Sequence, residues 1–286
     1  MDLNFWVIQT FNGVSYGALL FLLASGLSLI FGVMRIVNLA HGSFFLLGGY
    51  VALTVIWTTG SWLLALPAAA LAIAVVGLLM ERVFLRPLGF DPLRQVLLTV
   101  GFAYLFQQAA LDIWGGDNLD IVPPAVLKES AVIGGFYFPI YRVFMIGMAL
   151  VVGLILWLAM EKTRVGAMIR ATVDDAEMAR GVGIDTSRVS MLIFALGAFL
   201  AGLGGVVGGA FLGVYPGLDF AILPIAFAVV IIGGMGSLTG AAVGSLLVGL
   251  ADNFGKALFP EVSYFTLYAP MVLILALKPT GLFGRE

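Results

Sequence analysis

The sequence predicts an all-α, polytopic integral membrane protein with about eight to ten transmembrane helices. Of its 286 residues, 62% are hydrophobic. Only 10% are charged, whereas soluble domains carry about 25% charged residues. Apolar stretches of about 20 residues, the length that a helix needs to cross the hydrocarbon layer, recur along the whole chain. We therefore expect lipid, rather than water, to surround most of this protein.

Nine apolar stretches between charged residues are the candidate membrane spans. They run over residues 5–33, 41–59, 61–80, 95–113, 143–160, 190–212, 222–236, 238–254 and 263–278. The second, seventh and eighth are short or rich in glycine, which predicts broken or re-entrant helices. The first and sixth each begin a glycine-rich half and run in opposite directions across the membrane. An inverted repeat is therefore a further expectation.

The basic residues predict the orientation, because cytoplasmic loops retain lysine and arginine. If the N-terminus lies outside and the chain crosses nine times, eleven basic residues fall on one side and three on the other. The eleven are Arg35, Arg82, Arg86, Arg94, Lys162, Arg164, Arg170, Arg180, Arg188, Lys278 and Arg285. The three are Lys128, Arg142 and Lys256. We expect an external N-terminus, next to Asp2, and a cytoplasmic C-terminus.

Composition excludes several classes of protein. A net charge of −2 leaves no basic surface for nucleic acid. The chain has no cysteine and a single histidine, His41, so we expect no thiolate metal site, no catalytic relay and no cofactor. No acidic pair, Ser/His pair or zinc-binding helix motif lies inside the candidate spans. The sequence therefore predicts no catalytic residues.

Two loops are much longer than the others in the single domain predicted for residues 1–286. The external loop, 114–142, contains two short apolar runs, 131–133 and 136–138, around Gly134-Gly135, a pattern that predicts a β-hairpin. The cytoplasmic loop, 161–189, holds ten of the thirty charged residues. One third of the charge thus lies in one tenth of the chain.

A short helix is predicted within the cytoplasmic loop. Thr172 is followed three residues later by an acid, which is typical of a helix N-cap, and Gly181 or Gly183 supplies a C-terminal stop. Ala176 and Ala179 share one face of this helix, and such small side chains allow another protein to dock closely. The alternative is a solvated linker helix without a partner.

Glycines at every fourth position predict close helix packing in lipid. They are Gly236, Gly240 and Gly244 in one region and Gly204 and Gly208 in another. We expect these glycines to bring helices together rather than to contact a solute.

Three blocks of sequence form a pattern that spans most of the chain. The first block consists of 26–34, Asn38-Leu39-Ala40-His41-Gly42 and Leu47-Gly48-Gly49-Tyr50. The second consists of Arg170-Ala171, Asp174-Asp175, Ala179 and Gly183-Ile184, followed by Phe194 and 201–205. The third consists of 232–237 with Gly240-Ala241 and Gly244. Together these blocks resemble the bacterial branched-chain amino acid ABC-transporter permeases of the LivH type.

The resemblance implies a permease of the bacterial inner membrane that works by alternating access. Its implied partners are a second, LivM-like permease, two ATP-binding subunits that hydrolyse ATP, and an extracytoplasmic solute-binding protein. The coupling residues that it implies are Arg170, Ala171, Asp175, Ala176, Ala179 and Gly183. The implied solutes are branched-chain amino acids. Relatives that carry urea, amides or aromatic acids leave those solutes as alternatives.

Polar residues within or beside the spans are the candidates for the transport pathway. Asn38 and His41 lie at a predicted break after the first span, where they either satisfy the broken backbone or touch the solute. Thr99, Gln107 and Gln108 interrupt the fourth span. Since an amide is costly in lipid, Gln107 or Gln108 should face another helix or the pathway.

The main rival function is an ion-coupled secondary transporter, which usually carries a charged residue within the membrane. Every charge here is predicted near the end of a span, with Asp112 and Asp252 closest to being exceptions. This distribution favours an energy source outside the chain. A passive channel is disfavoured because it does not need the charged cytoplasmic loop.

Overall fold

The computed structural model describes residues 3–89 and 91–284 as a helical bundle with a small β-hairpin. Asp2 and Arg285, next to the predicted external N-terminus and cytoplasmic C-terminus, lie outside these residues. The α-helices are α1 Leu3–Met34, α2 His41–Thr59, α3 Trp62–Met80, α4 Pro92–Trp114, α5 Ala125–Lys128, α6 Ile140–Lys162, α7 Arg164–Asp174, α8 Ala176–Gly181, α9 Thr186–Leu212, α10 Leu218–Gly233, α11 Leu238–Leu258 and α12 Ser263–Leu277. The strands are β1 Ser130–Ile133 and β2 Phe136–Pro139.

Nine of these helices coincide with the nine predicted stretches. Within the described residues, seven are long and apolar enough to cross a membrane: α1, α2, α3 with its continuation to Leu88, α4, α6, α9 and α11. Helices α10 and α12 are apolar but shorter. Of the stretches predicted to be broken or re-entrant, the second and eighth form helices, α2 and α11, that are continuous over 19 and 21 residues.

The core is built around α1 and α9, the two most buried spans. Helix α1 packs along α11, α9 packs along α3, and α1 and α9 also contact each other. In contrast, α4 and α6 bury few of their residues and expose large apolar side chains such as Leu97 and Ile155 on the outside of the bundle. Such exposed apolar helices are expected where the surrounding solvent is lipid.

The packing of the helices has the symmetry of an inverted repeat. Helices α1 to α4 and helices α9 to α12 form two sets with corresponding contacts. The contact of α1 with α11 corresponds to that of α9 with α3. Likewise, α2 contacts α3 and α4 as α10 contacts α11 and α12. Each set begins with a long helix, a break and a shorter helix. Since α1 and α9 run in opposite directions, the pattern agrees with the repeat predicted from the sequence.

Two of the predicted glycines lie beside one aromatic ring. Carbon atoms of the Phe45 ring lie 3.4 Å from the position that a Cβ would take at Gly204, and closer still to that position at Gly208. Helix α9 thus approaches α2 at a distance that larger side chains would prevent.

The other predicted glycine series, Gly236, Gly240 and Gly244, does not lie on a single helix. Gly240 and Gly244 lie on α11 against the backbone of α10, where a Cβ at Gly244 would lie 2.5 Å from the carbonyl oxygen of Val229. Gly236 does not belong to this helix. It lies in the turn before α11 with φ +82°. A Cβ at Gly236 would lie 2.9 Å from the Cα of Gly32. Gly236 thus packs against α1 from outside the helix that carries Gly240 and Gly244.

The external loop forms the predicted hairpin. Strands β1 and β2 pair in antiparallel register around Gly134 and Gly135, which both have positive φ. Elsewhere in this loop, Leu119 and Val214 exchange backbone hydrogen bonds of 2.9 and 2.8 Å. This bridge joins the external loop to the segment between α9 and α10, as the predicted topology requires.

Candidate functional site

The predicted break after the first span is confirmed, and it lies deep in the bundle. Arg35 has φ +54°, the one non-glycine residue with positive φ in the described chain. The first residue of α2, His41, places Nε2 3.0 Å from the carbonyl oxygen of Leu23. Leu23 lies eleven residues before the end of α1 at Met34, about 16 Å along the helix axis. Helix α2 therefore begins beside the inner part of α1 rather than at its end.

Helix α10 begins next to the first turn of α2. It follows α9 after a short connection in which Gly213 and Gly217 have φ +78° and +100°. A Cβ at Gly42 would lie 2.5 Å from the carbonyl oxygen of Asp219 and 3.1 Å from the Leu223 Cβ. The first turns of α2 and α10 are therefore in direct contact. We call this contact region the α2–α10 junction.

A buried carboxyl group connects the two helices at the junction. Ser43 Oγ donates a hydrogen bond of 2.9 Å to Asp219 Oδ2, and the two residues are 1% and 2% exposed. The backbone N–H groups of Gly217 and Phe220 lie near the carboxyl group, as is common for an acid in the first turn of a helix. Even so, Oδ1 has no hydrogen-bond partner among the described residues.

Three acidic side chains at or near the ends of spans are buried in the structure. Asp219, Glu81 and Asp252 are buried, at 2%, 2% and 5% exposure. Asp219 was overlooked because it precedes the apolar stretch predicted at 222–236. In the structure, α10 starts at Leu218 and carries Asp219 into the interior. The distribution of charges therefore does not distinguish this chain from a secondary transporter.

Asn38, His41 and Thr99 are fully buried around the break. Asn38 Oδ1 accepts a hydrogen bond of 3.1 Å from the N–H of Ala40, and Thr99 Oγ1 accepts one of 3.2 Å from the N–H of Leu39. These side chains satisfy backbone groups that the break leaves free. Asn38 Nδ2 and His41 Nδ1 have no partner in the described part of the chain, so each retains a free polar atom.

Polar side chains continue along α2 on the other side of the junction. Tyr50 lies two turns after Ser43 and is fully buried, and its hydroxyl group is also without a partner among the described residues. Its ring stacks on Trp114 at 4.9 Å between centroids. Trp114 in turn donates a hydrogen bond of 2.8 Å to Thr54. A line of polar atoms thus leads from the junction toward the external loop.

The two glutamines of α4 have different surroundings. Gln107 is half-buried, with Nε2 3.8 Å from the position that a Cβ would take at Gly217. Gln108 is exposed and donates a hydrogen bond of 2.9 Å to Asp112 on the same helix. Of the two, Gln107 therefore faces the connection that leads into α10.

An apolar cavity of about 550 Å³ lies beside the junction, between α4, α10 and α12. Leu39 and Ala103 line it, and both contact the polar cluster. The N–H of Leu39 donates a hydrogen bond to Thr99, and the carbonyl oxygen of Ala103 lies 3.5 Å from Ser43 Oγ. Aromatic side chains from α4 and α10 form another part of its wall. Polar and apolar surfaces therefore lie next to each other at this depth.

The cytoplasmic loop contains two helices instead of the one predicted. Thr163 caps α7 by accepting a hydrogen bond of 3.1 Å from the N–H of Gly166. Asp175 caps α8 by accepting bonds of 2.9 Å from the N–H groups of Glu177 and Met178. The prediction that Thr172 is the N-cap is wrong. Thr172 lies inside α7, where its hydroxyl group bonds to a backbone carbonyl oxygen of the preceding turn.

The exposed face of α8 also differs from the expected one. Ala179 is only 2% exposed, so the expectation that it offers a docking surface is wrong. Ala176 is half-buried, and Met178 and Val182 are 67% and 73% exposed. Gly183 follows with φ +90° and turns the chain toward α9. The accessible apolar side chains of this segment are therefore those of Met178 and Val182.

The remaining predicted coupling residues hold α7 in place. Arg170 lies 3.9 Å from Glu161 and also donates a hydrogen bond to the carbonyl oxygen of Met160. Ala171 is half-buried, and its carbonyl oxygen accepts a bond of 3.0 Å from the N–H of Asp175. These contacts fasten the loop helices to the end of α6.

Comparisons with known proteins match this chain over most of its length. The family model described as branched-chain amino acid transport system / permease component matches residues 9–275. The high-affinity branched-chain amino acid transport system permease protein LivH of Escherichia coli (strain K12) is 30% identical over 98% of this chain and 96% of LivH. The corresponding protein BraD of Pseudomonas aeruginosa is 28% identical over 99% of this chain and 97% of BraD. The E. coli permease protein LivM is 27% identical over 91% of this chain and 67% of LivM.

Proposed function

This chain belongs to the family of branched-chain amino acid transport permeases, and on that premise we propose that it imports branched-chain amino acids as one membrane-spanning subunit of an ATP-driven transporter. The observation that carries the proposal is the match of the family model to residues 9–275, together with 30% identity to LivH over nearly the whole chain. Urea, amides and aromatic acids are the alternative solutes.

The proposed assembly contains a second, LivM-like permease, two ATP-binding subunits and an extracytoplasmic solute-binding protein, in the bacterial inner membrane. Similarity to both LivH and LivM supports a pair of related permeases. ATP hydrolysis takes place on the separate subunits. This chain contributes a path for the solute and a surface that receives the movement of the ATPases.

We place the path at the α2–α10 junction. The first turns of α2 and α10 meet there inside the bundle, and transporters often bind solutes where helices are broken. The free polar atoms of Asn38, His41, Tyr50 and Asp219 lie along this region. Movement of one half against the other would open the junction alternately to the two sides.

We place the coupling surface on α8. Exposed Met178 and Val182 give this short helix an apolar face within a highly charged segment, and flexible apolar side chains suit a protein partner. The caps at Thr163 and Asp175 and the Arg170 contacts hold the segment rigidly enough to transmit a movement. The buried Ala179 would support α8 from beneath.

The energy source tests the assignment most directly. The chain, its second permease and the ATPases are reconstituted in liposomes with the binding protein, and uptake of L-leucine is measured with ATP or with a proton gradient alone. We expect uptake with ATP and none with the gradient. Uptake that needs only the gradient would instead favour a secondary transporter, the function to which the buried Asp219 also points.

The orientation is tested by labelling with an impermeant thiol reagent. Because the chain has no cysteine, each introduced cysteine is the only labelled position in it. Ser130→Cys, in the external hairpin, should react from outside the cell, whereas Lys162→Cys, at the end of α6, should not. The reverse pattern would invert the proposed topology.

A further inference from the structure

The junction contains a carboxyl group whose hydrogen-bonding capacity is only partly used. Asp219 Oδ2 accepts from Ser43, while Oδ1 is buried without a partner among the described residues. Leaving a buried polar atom unpaired is unfavourable. In a protein that passes solutes through its interior, such an atom is a place where a ligand completes the hydrogen bonding.

Among residues 3–89 and 91–284, no basic side chain pairs with this carboxyl group. The ion pairs found in the described ranges join Arg94 to Asp91, Arg170 to Glu161, Arg188 to Asp185 and Lys256 to Asp252. Asp219 belongs to none of them. Because buried carboxyl groups usually pair with a cation, the missing charge can be supplied by the passing molecule.

Hydrogen-bond donors lie on the opposite side of the same junction. The first turn of α2 has no side-chain cap, since Ala40 occupies the N-cap position. Asn38 Nδ2, just before it, is buried and unpaired within the described chain. A helix N-terminus with free donors favours a negative group. The junction therefore offers an acceptor to a cation and donors to an anion.

The adjoining cavity matches the rest of such a molecule. Its volume is about 550 Å³, and apart from small polar areas its surface is apolar, with contributions from Tyr104, Phe220, Leu223 and Phe227. Leu39 and Ala103, which line it, bond through their backbone to Thr99 and Ser43 of the polar cluster. A zwitterion with an apolar side chain is complementary to this combination.

We propose that Asp219 binds the ammonium group of the amino acid in transit, through Oδ1, while Ser43 fixes the orientation of the carboxyl group. The amino acid's carboxylate then faces the first turn of α2 and Asn38, and its side chain lies in the cavity. This assignment rests on the proposed function, because it names a contact within the same pathway.

The test compares variants of the reconstituted complex by the amount of L-leucine transported per ATP hydrolysed. Asp219→Asn keeps the shape of the side chain and its bond to Ser43 but removes the charge. We expect the ratio to fall about tenfold, the effect of losing one charge-assisted hydrogen bond, while ATP hydrolysis continues. Asp219→Glu should retain more transport than Asp219→Asn.

The matched control is Asp252→Asn, which removes another buried carboxyl group, on α11, where it pairs with Lys256. This variant should transport as much L-leucine per ATP hydrolysed as the unaltered complex. If Asp219→Asn also left the ratio unchanged, or lowered transport and ATP hydrolysis in parallel, the proposed contact would be wrong.

Two further outcomes separate the possible failures. If Asp219→Asn prevents assembly, Ser43→Ala is tested instead. We expect Ser43→Ala to lower the amount of L-leucine transported per ATP hydrolysed, and an unchanged amount would overturn the proposal. If the unaltered complex hydrolyses ATP but carries no leucine, valine or isoleucine, the proposed solute is wrong. Leucine transport that is insensitive to Asp219 would overturn only the present inference.

Discussion

The break between α1 and α2 and the break between α9 and α10 occupy equivalent positions in the two halves of the molecule, but they differ in chemistry. Polar side chains satisfy the first: Asn38 and Thr99 bond to the free backbone N–H groups. The second relies on backbone freedom, with positive φ at Gly213 and Gly217. Equivalent geometry is therefore reached once through side-chain hydrogen bonds and once through glycine, and substitutions should affect the two breaks differently.

The largest effect is expected where the two halves meet. Gly42→Ala would place a Cβ 2.5 Å from the carbonyl oxygen of Asp219, which forces α2 and α10 apart and costs about 1–3 kcal/mol or more. We expect loss of leucine uptake and a lower melting temperature of the purified complex in detergent. Gly101→Ala, on α4, is the control because nothing lies within 4 Å of its Cβ position. Equal behaviour of the two variants would contradict the close contact.

The first break should be sensitive to loss of a side-chain acceptor. Asn38→Ala leaves the buried N–H of Ala40 unpaired, which should destabilise the protein by about 1–3 kcal/mol. Asn38→Ser keeps an oxygen that can accept this bond and should recover part of the loss. Thermal unfolding in detergent measures both, and equal stability of the two variants would show that the acceptor does not matter.

The second break should be sensitive to any side chain at its glycines. Gly217 has φ +100°, so Gly217→Ala should cost about 1–2 kcal/mol. Gly147→Ala, in the middle of α6 with open space around it, should be neutral or stabilising by up to about 1 kcal/mol. The same unfolding measurement distinguishes them. If the Gly217→Ala protein were as stable as the unaltered protein, the proposed difference between the two breaks would be wrong.

The smallest effect is expected at Gln108, which is exposed and faces away from both breaks. Gln108→Ala should change stability by no more than about 0.5 kcal/mol and leave uptake unchanged. Gln107→Ala should lower uptake, because Gln107 lies against the connection between α9 and α10. Uptake assays on the two variants test this, and a stronger effect at Gln108 would place the pathway elsewhere.

Features that depend on local sequence were predicted well. The nine apolar stretches, the break at Asn38 and the hairpin around Gly134-Gly135 follow from composition and turn chemistry within a few residues. The alanines in the cytoplasmic loop were misplaced because helical spacing alone cannot show which face a neighbouring helix covers. Ala179 proved to be covered, and Met178 is exposed.

Asp219 shows why the site was harder to predict than the fold. Its neighbours in sequence suggest a loop, and its burial depends on Ser43, 176 positions earlier in the chain. The same holds for Gly236, whose proximity to Gly32 follows from how α1 and the turn before α11 are arranged. Contacts between distant segments leave no periodic signal, so only the three-dimensional arrangement reveals them.

The depth at which α2 begins also has a consequence for biosynthesis. As the ribosome makes the chain in order, Asn38 and Ser43 enter the bilayer long before α10 exists. Ser43 obtains its carboxyl partner only after 176 more residues have been added. During that interval these polar groups require temporary shelter, from water, the insertion machinery or α4. The late arrival of α10 thus completes the membrane interior, and a chain truncated before it would be a natural target for quality-control proteolysis.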